Sequence, residues 1–291
     1  MIVPILNASG CLDALTAPDV ARSLDAFVTK TVTPLAREGN PPPRIAETEH
    51  GMLNSIGLQN PGIEEFLRSH LPRLAELGVP IWVSVGGFSA ADYVLACERL
   101  DERDEVEVVE LNLSCPNVEE APETSADLVR AARSATSKPL YAKLSPATWD
   151  IAETARAVAD AGADGLSLVN TIRGLAIDPW TRRSKLALGA GGYSGPALAP
   201  IALACVDACA RAVELPIVGM GGVFSAQEAR DLLGAGARAI ALGTVLFVDP
   251  FAAVRIRQEL AAEAASDGRT PAARNAAGRA RHAGSPASSS L

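Results

Sequence analysis

Histidine is scarce in this chain: three residues in 291, at positions 50, 70 and 282. Imidazole-driven acid–base chemistry is therefore poorly supplied. The five cysteines (Cys11, Cys97, Cys115, Cys205, Cys209) are odd in number and form no CxxC, which signals neither a disulfide framework nor a zinc knuckle. A formal charge of −8 leaves no basic stripe to neutralise a phosphate backbone, so nucleic acid is not expected as a partner. No apolar run approaches the roughly 18 residues of a membrane span, and "MIVPILNASG" lacks the basic start of a signal peptide. The expectation is a soluble, cytoplasmic protein with reduced thiols and no membrane contact. From Asp267 onward core-forming residues almost vanish, and residues 267–291 read as a disordered tail.

What is present is core-forming sequence in a regular order. Hydrophobic residues make up 48%, ordinary for a globular protein, and the length suits one large domain. Eight short apolar or β-branched runs alternate with helical patterns: residues 4–10, 26–33, 81–87, 106–114, 140–146, 165–171, 216–222 and 239–247. Between them, "ETARAVADAGA" and "AQEARDLLGAGA" carry apolar residues at helical spacing and stop at glycine. Eight strands, each followed by a helix, specify an α/β fold, a (β/α)8 TIM barrel over residues 1–266, with long loops after strands 2 and 6 (34–61 and 172–195). Excursions of that length in a compact domain are usually functional.

In such a barrel the C-terminal strand ends converge on the active site. They supply Ser9, Lys30, Thr31, Ser84, Asn112 to Asn117, Lys143, Asn170, Thr171, Gly221, Gly222, Gly243 and Thr244. No acidic cluster is among them, so no metal is expected. "VGMGG" and "LGT" at the last two ends suit a phosphate cup of backbone N–H groups. Lys30 and Lys143 stand in apolar or hydroxylic surroundings, which points to an anionic or electron-rich ligand. Asn54, Asn112, Asn117 and Asn170 offer paired donors and acceptors to a planar ring edged with amide groups. "VVELNLSCPNVEE" sets Cys115 between two of these asparagines, with Pro116 in the turn.

These segments occur together elsewhere. "NASG", "TKTVT", "GNPPPRIAETEHGMLNSIGLQNPG", "ELNLSCPN", "YAKLSP", "NTIRGLAID", "GGYSGPALAPIAL", "GMGGVFSAQEA" and "ALGTVLF" run in order over roughly residues 3–255. By them the chain resembles the soluble (class 1) dihydroorotate dehydrogenases, flavin enzymes of pyrimidine synthesis. The resemblance implies FMN as cofactor and Cys115 as the base that removes the C5 proton of dihydroorotate while N5 of FMN accepts the C6 hydride. A thiol's reference pKa near 8.5 suits that task better than a hydroxyl's. It implies Lys30, Asn54, Ser55, Ile56, Gly57, Leu58, Asn112, Asn117, Asn170 and Thr171 around the substrate. Around FMN it implies Ser9, Lys30, Thr31, Ser84, Asn112, Lys143, Val169, Gly195, Gly221, Gly222, Gly243 and Thr244, with Lys143 near the N1–C2=O edge.

"AETEHGMLNSIGLQNPG" and "NTIRGLAID" are most similar to the NAD-linked heteromeric (class 1B) branch. That likeness implies a homodimer joined into a heterotetramer by a separate FAD and iron–sulfur electron-transfer subunit. The other soluble branch is a homodimer that reduces fumarate, and Ser84 resembles that branch. "VEEAPETSADL", after Cys115, is shorter and more acidic than the family's glycine-rich segment. That departure motivates one alternative, an FMN oxidoreductase for a related dihydropyrimidine; a second, from another class, is a flavin-free phosphate-binding barrel, since the fold alone does not choose among them. Cys97, Cys205 and Cys209 read as packed core.

Overall fold

The computed structural model of the protein describes residues 3–113 and 124–266. Its strands, in chain order, are β1 (Ile5–Asn7), β2 (Phe27–Val28), β3 (Ile45–Thr48), β4 (Gly51–Asn54), β5 (Ile81–Val85), β6 (Val106–Asn112), β7 (Leu140–Leu144), β8 (Gly165–Leu168), β9 (Ile172–Gly174), β10 (Gly191–Ser194), β11 (Ile217–Met220) and β12 (Ala239–Leu242). Eight of these pair in parallel in the order β1-β12-β11-β8-β7-β6-β5-β2. The ring closes through a parallel bridge between Leu6 and Ala26. The Asp25 carboxylate braces that seam, accepting from Ile5 N at 2.8 Å and from Arg257 Nη2 at 2.7 Å. All eight expected runs are barrel strands.

The runs are nearly continuous in apolar residues because both faces of each strand are buried. One face of the ring points inward, where Leu6, Val28, Val218, Met220 and Ala241 cluster. Trp82 and Tyr141 fill this interior with ring centroids 4.6 Å apart. Gly165 makes room for them, since a Cβ there would lie 2.3 Å from the Tyr141 ring. The opposite face carries Ile5, Val83, Leu111, Leu140, Leu166, Ile217 and Ile240 into a larger cluster with helix residues such as Val129, Val158, Val206 and Leu232.

The helices begin and end where the sequence supplies caps. Asp150 accepts from Ala152 N and Glu153 N to start helix Ile151–Asp160. Ser225 and Glu228 form a capping box on helix Ala226–Ala235, which stops at Gly236 with φ +120. Cys97 and Cys209 are fully buried, and Cys205 packs partly exposed against the same core. Among the described residues, no helix is long and apolar enough to cross a membrane.

The two long excursions are not independent loops. β3 and β4 come from the first, β9 and β10 from the second, and they join in one antiparallel sheet ordered β3-β4-β10-β9. Tyr193 pairs with Leu53 on one side and Ile172 on the other. Ala46, Leu53 and Leu186 give this sheet its own small apolar cluster. The expected tail, residues 267–291, lies outside the described residues.

Candidate active site

A cleft of about 640 Å³ opens at the C-terminal ends of the barrel strands, within the size range of small-molecule sites. Met52 and Asn54 of β4 and Gly191, Gly192 and Ser194 of β10 contribute to its wall. The excursion sheet therefore borders the barrel mouth.

One part of the cleft is built from backbone. Gly195, Gly221, Gly222, Gly243 and Thr244 all line it. Gly222 has φ +77, and a Cβ there would stand 2.5 Å from Ala199 N, at the start of helix Ala199–Ala212. Gly195 has φ +121, with a Cβ position 2.5 Å from Gly51 Cα. Neither position admits a side chain, so the main chain itself faces the ligand space. Thr244 Oγ1 donates to Ser194 Oγ at 3.1 Å across this cup. Bare backbone beside hydroxyls suits a phosphate.

Lys30 and Lys143 also border the cleft. The Lys143 ammonium is almost fully buried and stands 3.5 Å from Glu110 Oε1, itself 1% exposed. Lys30 is different: among the described residues no carboxylate pairs with it. Burial pushes its pKa down from the usual 10.5, the Lys143 charge adds to this, and the Cys11 thiol opposes it. Cys11 lines the cleft as well, its own pKa raised by burial and pulled back by Lys143 and Lys30.

How Lys30 and Thr31 come to share one cleft is a matter of strand irregularity. On a regular strand consecutive side chains point to opposite faces. Here Ser84 N is taken by the Thr29 hydroxyl at 3.1 Å, while Thr29 N bonds Trp82 O and Val32 N bonds Ser84 O. The ladder slips between Thr29 and Val32, and both Lys30 and Thr31 line the cleft.

A chain of side-chain hydrogen bonds crosses five strand ends. Asn170 Nδ2 donates to Asn112 Oδ1 at 3.0 Å, and Asn112 Nδ2 donates to Thr31 Oγ1 at 3.2 Å. Thr31 Oγ1 lies 3.1 Å from Ser84 Oγ and 3.4 Å from Ser9 Oγ. Tyr93 OH donates to Asn112 O at 2.8 Å, fixing the end of β6. Thr171 N donates to Asn170 Oδ1 at 2.8 Å. With one face of each amide committed, the other is left for a planar ligand edge.

Asn54, Ser55, Ile56, Gly57 and Leu58 line the cleft from the first excursion. Gly57 and Leu58 are both left-handed, at φ +75 and +56, a conformation that costs a leucine about 1–2 kcal/mol. It is held by Asn60 Nδ2 donating to Leu58 O at 2.7 Å and by Arg37 Nε donating to Gly57 O. Strain maintained by surrounding bonds is a mark of a ligand-facing segment.

Nearly every other residue singled out from the sequence lines the same cleft: Ser9, Asn112, Val169, Asn170 and Thr171. Ser84 does not; it is fully buried behind Thr31. Cys115 and Asn117 lie outside the described residues. Sequence reasoning missed Arg37, Asn40, Ser194 and, above all, Glu110. A signal for Glu110 existed: it precedes Asn112 by two on β6 and so shares its face. Arg37, 4.6 Å over the Phe88 ring, carried no such signal.

With this geometry in view, the likeness to known proteins is specific. The family model described as dihydroorotate dehydrogenase matches residues 1–263. Over 271 residues the chain is 44% identical to the protein named dihydroorotate dehydrogenase B (NAD(+)), catalytic subunit, of Anoxybacillus flavithermus, covering 89% of this chain and 86% of that one. A protein of the same name from Listeria innocua is 43% identical over 267 residues, covering 88% of each. One from Bacillus thuringiensis is 42% identical over 271 residues, covering 89% and 87%.

Proposed function

The chain belongs to the dihydroorotate dehydrogenase family and is an oxidoreductase that converts dihydroorotate to orotate; from that premise we propose that FMN is its resident flavin and Cys115 its base. The observation that carries the cofactor reading is the meeting, in one cleft, of a bare-backbone cup with two lysines and a linked row of amides. The cup fits a phosphate, and a volume of about 640 Å³ suits a flavin together with a small ring.

FMN, when bound, supplies the acceptor for the C6 hydride. The chain does the rest. Gly195, Gly221, Gly222, Gly243 and Thr244 hold the phosphate end through main-chain N–H groups. Ser9, Thr31, Asn112, Lys143 and Val169 bound the ring, and Ser84 acts from behind by holding the Thr31 hydroxyl. Lys30 attracts the substrate carboxylate beside the turned backbone of Ser55, Ile56, Gly57 and Leu58. Asn54, Asn112, Asn117, Asn170 and Thr171 fix the pyrimidine edge. The Cys115 thiolate takes the C5 proton, and the C5–H electron pair becomes the second bond between C5 and C6.

The relatives are named catalytic subunits of an NAD-linked enzyme. We assign this chain the same place: a homodimeric core that passes electrons to a separate FAD and iron–sulfur subunit. A cytoplasmic location accords with the unpaired thiols of Cys11, Cys97, Cys205 and Cys209.

Anaerobic titration of the purified protein with dihydroorotate, followed by flavin absorbance, tests the reading. The yellow colour should bleach at about one substrate per flavin, and in Cys115→Ser the bleaching at neutral pH should be slower by orders of magnitude. A yellow protein that bleaches only with dihydrouracil would move the substrate; a colourless one that takes up no FMN would remove the flavin. Bleaching of the serine variant at the wild-type rate would remove Cys115 from the role of base.

A further inference from the structure

Among the described residues Glu110 is the most buried charged side chain. It is 1% exposed, within a strand otherwise made of valine, leucine, one outward glutamate and Asn112 at its end. An ion pair in such a place is usually no more stable than well-packed apolar residues of the same volume, so stability alone does not account for it. The geometry around it is specific. Glu110 and Asn112 share the inward face of β6, and Lys143 is the register partner of Asn112, not of Glu110. Lys143 therefore reaches down the barrel to Glu110 with a single contact of 3.5 Å, the outer limit of a hydrogen bond. An ammonium has three N–H donors, and this arrangement leaves donors for the cleft that Lys143 lines. Ser167, the register partner of Lys143 on β8, adds a buried hydroxyl without a hydrogen-bond partner. The polar layer is thus only partly satisfied from within.

We propose that Glu110 is a positioning residue for the flavin: its carboxylate holds the Lys143 ammonium and balances its charge, and so sets how readily the bound cofactor accepts electrons. The inference rests on the FMN reading above. With the carboxylate present, the charge that Lys143 offers to the reduced ring is partly offset. With it removed, the same ammonium stabilises the reduced state more strongly.

The test is the midpoint potential of the flavin in purified holoprotein, wild type against E110Q and E110D. In E110Q the equilibrium should shift toward reduced flavin by tenfold or more, a rise of about 30 mV for this two-electron couple. E110D keeps the charge and should stay near the wild type. KM for dihydroorotate should change less than twofold in both. An E110Q potential equal to the wild-type value would overturn the proposal, whatever happens to turnover. Should E110Q not fold, E110L is measured in its place: it too removes the carboxylate and should raise the potential by the same amount, and a wild-type value there would overturn the role. The cofactor reading is checked separately by FMN titration of the wild-type apoprotein: absence of binding there defeats that reading, whereas binding with an unmoved E110Q potential defeats only the role of Glu110.

Discussion

Lys30 shows what one residue contributes when no carboxylate among the described residues answers its charge. Gly10, at φ +78, lets the stem pass, since a Cβ there would meet Lys30 Cδ at 2.7 Å. Burial and the neighbouring Lys143 hold its pKa below 10.5. Losing a charged hydrogen bond costs about 1.5–3 kcal/mol. Lys30→Met should therefore weaken orotate binding by roughly 10- to 150-fold, read from the ligand's perturbation of the flavin spectrum. In the wild type, affinity should fall as pH rises through the depressed pKa, because the ammonium loses its proton before an ordinary lysine would. Lys30→Arg, which stays charged, should show a flat profile over that range; parallel profiles would remove Lys30 from carboxylate binding. Lys30, Lys143, Asn112 and Asn170 were legible in the sequence because a barrel brings every strand end to one place. Glu110 was missed, since an acid in an apolar run reads as part of the run; its place two before Asn112 gives its face, and its partner, 33 residues on, shows what it meets there.

At the scale of elements, the eight barrel strands were legible because burial on both faces makes each run nearly continuous in apolar residues. The excursion sheet was not. Most of its residues are only partly buried, Ala46 and Leu53 excepted, and its pairing joins segments that carry no mark of one another. The slip between Thr29 and Val32 was equally hidden, for it depends on a threonine hydroxyl taking the place of a backbone carbonyl. Packing inside the ring gives a sharper test. Gly165 in β8 faces Tyr141 of β7, and its absent side chain is what lets the Trp82–Tyr141 pair fill the interior. Gly165→Ala should cost about 1–3 kcal/mol through overpacking, measured by urea denaturation. Combining it with Tyr141→Phe should recover little, because the clash is with the ring and not the hydroxyl. Full recovery by that change would place the strain elsewhere.

Across the whole molecule, the thiols tie stability to pH. Burial pushes Cys97 and Cys209 up to about 12, from 9.0 in an unstructured chain. Their folded values lie above their unfolded ones, so the associated stability is fully present below pH 9.0 and is lost as pH rises toward 12. The urea midpoint should decline over that window, and a Cys97→Ala/Cys209→Ala variant should decline less steeply. An identical slope in the variant would exclude these thiols as the cause. The same reading of the molecule as one object concerns time. Asn54 donates to Gly192 O across 138 residues of chain, so the wall of the cleft joins parts made far apart during synthesis. At roughly 5–20 residues per second, β4 waits on the order of ten seconds at the ribosome before β10 exists to pair with it. Until then the first excursion has no partner for one edge, and a nascent chain cannot complete the wall of this cleft however early the neighbouring strands have formed.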